Sequence, residues 1–220
     1  AIHDKCGVFG IFRHSNAAEL TYFGLYSLQH RGHESAGIAI AGNGEVKLHK
    51  GMGEVSEVFD DKKILQRLKG NISIGHTRYS TTGASSLINI QPFLMTNRSS
   101  TLAIAHNGNL TNSSELQKKL DDQGCIFQTT SDTEIILHLI AISNKKTRVG
   151  RICDALTKIK GAYSLAFLTE DSLIAARDEY GFRPLALGKF GKSWVVASET
   201  CAFDIIGATY VRDVAPGEVL

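Results

Sequence analysis

The sequence predicts an α+β fold in which antiparallel sheet is covered on its outside by helices. Three observations lead there. Strand-like runs at Tyr163–Leu168, Leu173–Ala176, Leu185–Leu187 and Trp194–Ala197 follow one another closely. Parallel strands need long crossovers, so this spacing favours antiparallel pairing. Many of the strand-like runs are apolar at most positions, so both faces of the sheet are covered. No Gly-x-Gly-x-x-Gly follows a strand and no P-loop occurs, which argues against a dinucleotide-binding array.

The elements follow in order along the chain. Cys6–Phe12 reads as a strand, and Ala17–Gln29 as a helix, with Leu20, Phe23, Leu25 and Leu28 giving the helical period. Ser35–Ala41 and Glu45–His49 are strands joined across Gly42-Asn43-Gly44, a hairpin signal. Ser56–Lys69 is helical and stops at Gly70. Asn71–Thr77 and Thr101–Ala105 are short strands. Asn112-Ser-Ser-Glu115 resembles a capping box opening a helix that ends at Gly124, and Ser131-Asp-Thr-Glu134 a second one ahead of Ile135–Ile142. Arg148–Lys160 is a further helix, the four closely spaced strands come next, and Ala215–Leu220 ends in strand-like sequence.

The 220 residues are 43% hydrophobic, enough for one domain or two small ones with a real core. The net charge is +2 and scattered, so there is no basic stripe of the kind nucleic acid requires. The longest apolar stretch, Ile135–Ile142, is too short for a membrane helix and carries His138. Residues 1–5, AIHDK, lack the apolar region of a secretory signal. Cys6, Cys125, Cys153 and Cys201 are far apart in sequence, which leaves no zinc or Cys-x-x-Cys spacing and suits free thiols in a reducing cytoplasm.

Four stretches break the ordinary pattern: Cys6-Gly7, the polar run Gly75–Thr82, the glycine-containing turn Ala105–Leu110, and Ser131–Glu134. Loops at strand ends are where rigid scaffolds present functional groups. Each stretch also has a plain reading. Asn107-Gly108 suits a hairpin turn, Asp132 a helix start, Arg78 a surface ion pair, and Cys6 a packed thiol. Gln29-His-Arg-Gly-His-Glu34 invites a metal reading, but it is not His-Glu-x-x-His, and Gly32 would interrupt a helix.

Taken together, Cys6–Ile11, Arg31–Ile38, Gly75–Thr81, His106–Leu110 and Ser131–Glu134 resemble, in order, the class II glutamine amidotransferase domain. Tyr180–Leu185 and Ala197–Asp204 resemble the branch that uses phosphoribosyl pyrophosphate as acceptor in purine synthesis. His33 stands where the family commonly has Gln or Tyr. The resemblance implies the N-terminal-nucleophile (Ntn) hydrolase fold, a four-layer αββα sandwich of two antiparallel sheets.

The resemblance also implies the chemistry. Cys6 attacks the side-chain amide of glutamine to give a thioester, and its own α-amine acts as base. Residues 1–5 are then a propeptide, and residues 6–220 the glutaminase domain. Asn107, through its side-chain amide, and Gly108, through its backbone N–H, match the oxyanion hole. Arg78 matches the residue that binds the substrate carboxylate and Asp132 the one that binds its ammonium. Thr81 lies in the same loop, and Arg31 and Tyr79 match positions near the site. The loop from about Arg78 to Ser86 is expected to close over glutamine. Ammonia passes to a phosphoribosyltransferase domain outside this chain, where magnesium accompanies phosphoribosyl pyrophosphate. This domain itself needs no cofactor, and the ligands of any iron–sulfur cluster would lie mostly beyond residue 220. A homo-oligomer is implied, with no nucleic acid and no membrane. Three other readings stand beside this one: another class II enzyme such as glucosamine-6-phosphate synthase, a non-catalytic module that has lost the amine, and a papain-like Cys-His hydrolase using His106.

Overall fold

The computed structural model describes residues 6–79, 87–96 and 101–220. Two antiparallel sheets carry the fold. The larger is built from β1 (Gly7–Phe12), β2 (Ser35–Gly42), β3 (Glu45–Met52), β4 (Ile72–Arg78), β9 (Ala186–Phe190), β10 (Ser193–Ala197) and β11 (Thr209–Asp213), in the order β11-β9-β10-β1-β4-β2-β3. The smaller runs β5-β6-β7-β8, from β5 (Phe93–Thr96), β6 (Thr101–Leu110), β7 (Gly161–Leu168) and β8 (Leu173–Arg177). Every pairing between these strands is antiparallel.

Alternation along the strands sets the layers. Successive strand residues face opposite ways, and in β2 the isoleucines and alanines alternate. Ile38 and Ile40 pack outward on α1 (Ala17–Ser27) and α2 (Val55–Val58), while Ala39 and Ala41 face the other sheet. The smaller sheet repeats the division. Ile104, Leu165 and Phe167 cover α5 (Asp132–Ala141) and α6 (Arg148–Leu156), whereas Ala103, Ala105 and Ala166 meet the first sheet. Val8, Ile72, Ile74 and Leu168 fill the same inner layer beside the alanines. The result is helix, sheet, sheet, helix, the arrangement that the family resemblance implies.

The hairpin at Asn43-Gly44 forms as the sequence predicts, with both residues at positive φ and Gly42 opposite Glu45. Several other expectations need correction. Ser56–Lys69 is not one helix. It splits into α2 and α3 (Lys62–Arg67), because Phe59 turns into the core and Asp61 caps a new start by accepting the Lys63 N–H at 2.8 Å. The helix α4 (Ser113–Asp122) begins at Asn112 without a side-chain cap. Asn112 instead donates to the Lys158 carbonyl and accepts the Lys160 N–H, tying down the segment into which the sequence extends α6. Ser131 does cap α5, but Glu134 turns its carboxylate to the N–H groups of Gln128 and Thr129. The C-terminal residues make a single bridge, Val219 to Ala176, rather than a strand. The strands β5 and β11 and the helix α7 (Cys201–Ile206) are additional to the sequence reading.

The correction that matters most for function concerns Asn107-Gly108. It is not a hairpin turn. The strand β6 runs on to Leu110, with Asn107 opposite Ser164 and Gly108 opposite Tyr163. A cavity, not solvent, therefore receives this part of the chain.

Candidate active site

The two sheets open at one end onto a cavity of about 650 Å³. Its lining combines the start of β1 (Cys6), the end of β4 (Arg78, Tyr79), the end of β6 (His106, Gly108, Asn109), the start of α5 (Ser131, Asp132), and Arg183 from the loop after β8. Five segments separated by tens of residues thus deliver a thiol, two cations and a carboxylate to one space.

Cys6 is half-buried at the threshold of β1, with φ +69°. Its backbone N–H donates to the Arg31 carbonyl at 2.9 Å, and its thiol lies 3.8 Å from the Tyr79 carbonyl. Burial lifts the thiol above the ordinary cysteine range; the charges of Arg78, Arg31 and Arg183 oppose that shift without cancelling it. The group is a protonated thiol that needs a base.

Asn107 shares the pleat face of Ala103 and Ala105, which is turned toward the other sheet. It is fully buried, and both its amide nitrogen and its amide oxygen lack a hydrogen-bond partner among the described residues. Gly108 follows at φ +155°, and a Cβ there would stand 2.1 Å from the Ala162 carbonyl oxygen. Only glycine lets β6 pass β7 so closely.

Asp132 occupies the first turn of α5, where the helix dipole favours a carboxylate. It accepts the Leu110 N–H at 2.8 Å and lies 3.6 Å from His106 Nδ1. Burial works against its charge, but His106 and the backbone donors prevail and hold the carboxyl below its ordinary range. His106 Nδ1 is also 3.0 Å from Thr133 Oγ1, and the His106 N–H donates to Gln91 Oε1. Nδ1 is thus turned to the α5 side, and Nε2, buried without a partner among the described residues, makes no hydrogen bond to Cys6, which counts against the papain-like reading. Arg78 lies 3.5 Å from Glu34 and lines the cavity from β4.

The remaining expected residues are placed as follows. Tyr79 is half-exposed at the rim. Arg31 is not among the lining residues. It is buried behind Cys6, donating from Nε to the Cys6 carbonyl at 2.7 Å and pairing with Glu199. Thr81, and the loop closure expected up to Ser86, fall outside the described residues, as does the segment 1–5. Sequence reasoning misses Arg183 and Gln91 as site residues. Arg183 lies inside Tyr180–Leu185, a motif that carries the resemblance without marking a site. Its loop is organised by buried Asp178, which accepts the N–H groups of Tyr180, Phe182 and Arg183. The histidines of the 29–34 stretch separate, His30 toward Glu199 and His33 toward Glu54, while Glu34 faces Arg78.

Two stacked antiparallel sheets with helices outside each, and Cys6 at their lip, make an Ntn hydrolase fold. Residues 76–204, more than half of the chain, match the family described as glutamine amidotransferase domain, and the chain belongs to that family. It is 48% identical over its whole length to the amidophosphoribosyltransferase of Bacillus subtilis (strain 168), covering 46% of that protein. It is 51% identical to the chloroplastic amidophosphoribosyltransferase 3 of Arabidopsis thaliana, covering 41% of it. Among solved structures, the glutamine phosphoribosylpyrophosphate amidotransferase from B. subtilis complexed with ADP and GMP superposes with a TM-score of 0.93 at 49% identity, over 98% of this chain and 46% of that one. A class-II glutamine aminotransferase domain protein from Silicibacter pomeroyi, at 14% identity and TM-score 0.64, shares the fold. The chain spans less than half the length of the curated relatives it matches. No described helix is long and apolar enough to cross a membrane.

Proposed function

We propose that this chain is a glutaminase domain that releases ammonia from glutamine for transfer to phosphoribosyl pyrophosphate, as in the amidophosphoribosyltransferases it resembles. One observation carries the reading: a fully buried Asn107 amide without a partner among the described residues, next in chain to a glycine that lines the same cavity as a thiol, a guanidinium and a carboxylate. An unpaired buried amide costs roughly 1–3 kcal/mol. Such a group persists where a ligand completes it, and an oxyanion is the ligand a free N–H donor suits.

In this mechanism the Cys6 thiolate attacks the amide carbon of glutamine. Asn107 Nδ2 and the Gly108 N–H donate to the oxygen as it becomes negative. Collapse expels ammonia and leaves a thioester, which water hydrolyses. Arg78 receives the substrate carboxylate bidentately and Asp132 its ammonium. The base is the α-amine of Cys6, exposed by removal of residues 1–5; its ordinary pKa of about 7.7–8.0 suits proton transfer near neutrality. The acceptor reaction, with its magnesium, belongs to a phosphoribosyltransferase domain carried on further polypeptide. The four free thiols suit a reducing compartment, the cytoplasm in this reading. The test is a diazoketone analogue of glutamine. Peptide mapping should place its label on Cys6 alone; a label on Cys125, Cys153 or Cys201 overturns the mechanism.

A further inference from the structure

Resting on that reading, we propose that Glu199 is a positioning residue for the Cys6 nucleophile, acting through Arg31. A nucleophile that is also a chain terminus sits where polypeptides fray, so it must be tied down. Both backbone polar groups of Cys6 are tied to one residue: its N–H donates to the Arg31 carbonyl at 2.9 Å, and its carbonyl accepts from Arg31 Nε at 2.7 Å. Two residues on, the Val8 N–H donates to Ser198 Oγ and the Val8 carbonyl accepts the Ser198 N–H, each at 2.9 Å. The end of β10 therefore braces the start of β1, and Glu199 is the next residue along that brace.

The Arg31 side chain is 2% exposed, and a cation so deeply buried requires a counter-charge that also fixes its direction. Glu199 supplies it, with Oε1 on Arg31 Nη1. The other carboxylate oxygen is 3.0 Å from His30 Nε2, and His30 Nδ1 is 3.0 Å from the Ser27 carbonyl. Cys201 Sγ lies 3.8 Å from the same oxygen. Glu199 is thus anchored from the α1 side and from α7, and its pairing aims Nε of Arg31 at the Cys6 carbonyl. Its effect belongs on the rate of thiol attack and not on glutamine affinity, because Glu199 and Arg31 are both absent from the residues lining the cavity.

The experiment compares Glu199→Ala and Glu199→Gln with the unaltered chain, and Cys6→Ala in parallel. Expected is a fall in kcat of about 10- to 100-fold in Glu199→Ala, since misplacing a reacting group by about 1 Å can cost that much. The glutamine KM should stay within about twofold, and alkylation of Cys6 by neutral iodoacetamide should slow by a factor similar to kcat. Glu199→Gln keeps an acceptor and should fall between the two; it carries the measurement if the alanine variant does not fold. An unchanged kcat in the folded variant, or a change confined to KM, overturns the assignment of Glu199. Glutaminase activity surviving in Cys6→Ala overturns the underlying reading instead, so the two failures are told apart.

Discussion

Asp132 lines the cavity, whereas Asn107 is buried beside Gly108 and is not among the lining residues, and the two are bonded differently. The Asp132 carboxylate is already satisfied by the Leu110 N–H and the neighbouring His106, so it is poised to receive a cation. The Asn107 amide is satisfied by nothing among the described residues. Their variants should separate accordingly. Asn107→Ala should lower kcat by roughly 10²- to 10³-fold, the usual effect of removing one oxyanion donor, with little change in KM. Asp132→Asn and Arg78→Lys should mainly raise KM, since each loses a partner for a charge on free glutamine, and lysine cannot reproduce the guanidinium fork. Steady-state kinetics on the three variants decides it; an Asn107→Ala enzyme altered only in KM removes the oxyanion role. At this scale the sequence is informative where chemistry is written into a contiguous string, as at Gly75–Thr81 and His106–Leu110. It is silent on the roles of Glu199 and Gln91, whose importance comes from partners brought near by strand pairing. It places Arg31 near the site but does not show that the side chain turns back to the Cys6 carbonyl.

The elements converge on the site because the two sheets are linked beneath it. His76 on β4 lies opposite Val8 of β1, and its Nε2 reaches the His106 carbonyl of β6 at 3.0 Å, bridging from one sheet to the other. Burial, opposed by the hydrogen bond to the His106 carbonyl and aided by the neighbouring positive groups, pushes this imidazole down to about 3, so it is neutral in the folded protein. The sign of its linkage follows. In the unfolded chain the group titrates near its ordinary value of about 6.5. Above that pH both states are neutral and the contribution to stability is complete. As pH falls toward about 3 the unfolded state takes up a proton that the native state refuses, and roughly 1.4 kcal/mol of stability is lost per pH unit. His76→Gln should therefore flatten the decline in stability between about pH 6.5 and about pH 4 relative to the unaltered chain, as read from urea melts. A parallel decline in both proteins would show that His76 does not carry this sensitivity. The alternation of β2 makes two covered faces legible from residue types alone. The strand order does not follow from it, because β1 pairs with β10 from the far end of the chain, and local pattern holds no record of such a partner. The run through Asn107-Gly108 misleads for the same reason: an Asn-Gly pair signals a turn unless a neighbouring strand, here β7, continues past it.

For the whole molecule the decisive question is which form of the chain does chemistry. The fold places Cys6 at the mouth of the cavity, raises its thiol above the ordinary range by burial, and surrounds it with three arginines that would stabilise a thiolate once formed. What remains to be supplied is a base. His106 Nδ1 faces Thr133 and Asp132, while its buried Nε2 has no hydrogen-bond partner among the described residues and makes no hydrogen bond to Cys6; Asp132 is held anionic and accepts the Leu110 N–H. In the proposed mechanism the base is the nitrogen of Cys6 itself. While Lys5 is attached, that nitrogen belongs to a peptide bond, its lone pair is delocalised into the carbonyl, and it acts only as a donor, to Arg31. Cleavage between Lys5 and Cys6 would turn it into an amine with an ordinary pKa of about 7.7–8.0, close to that of a thiol. We therefore expect the chain bearing residues 1–5 to be an inactive precursor and the chain starting at Cys6 to be the glutaminase. Intact mass spectrometry on purified protein, paired with ammonia release from glutamine by each form, measures this directly. Full turnover by material whose mass retains all five residues would rule out the amine as base and return the proton to His106 or to water.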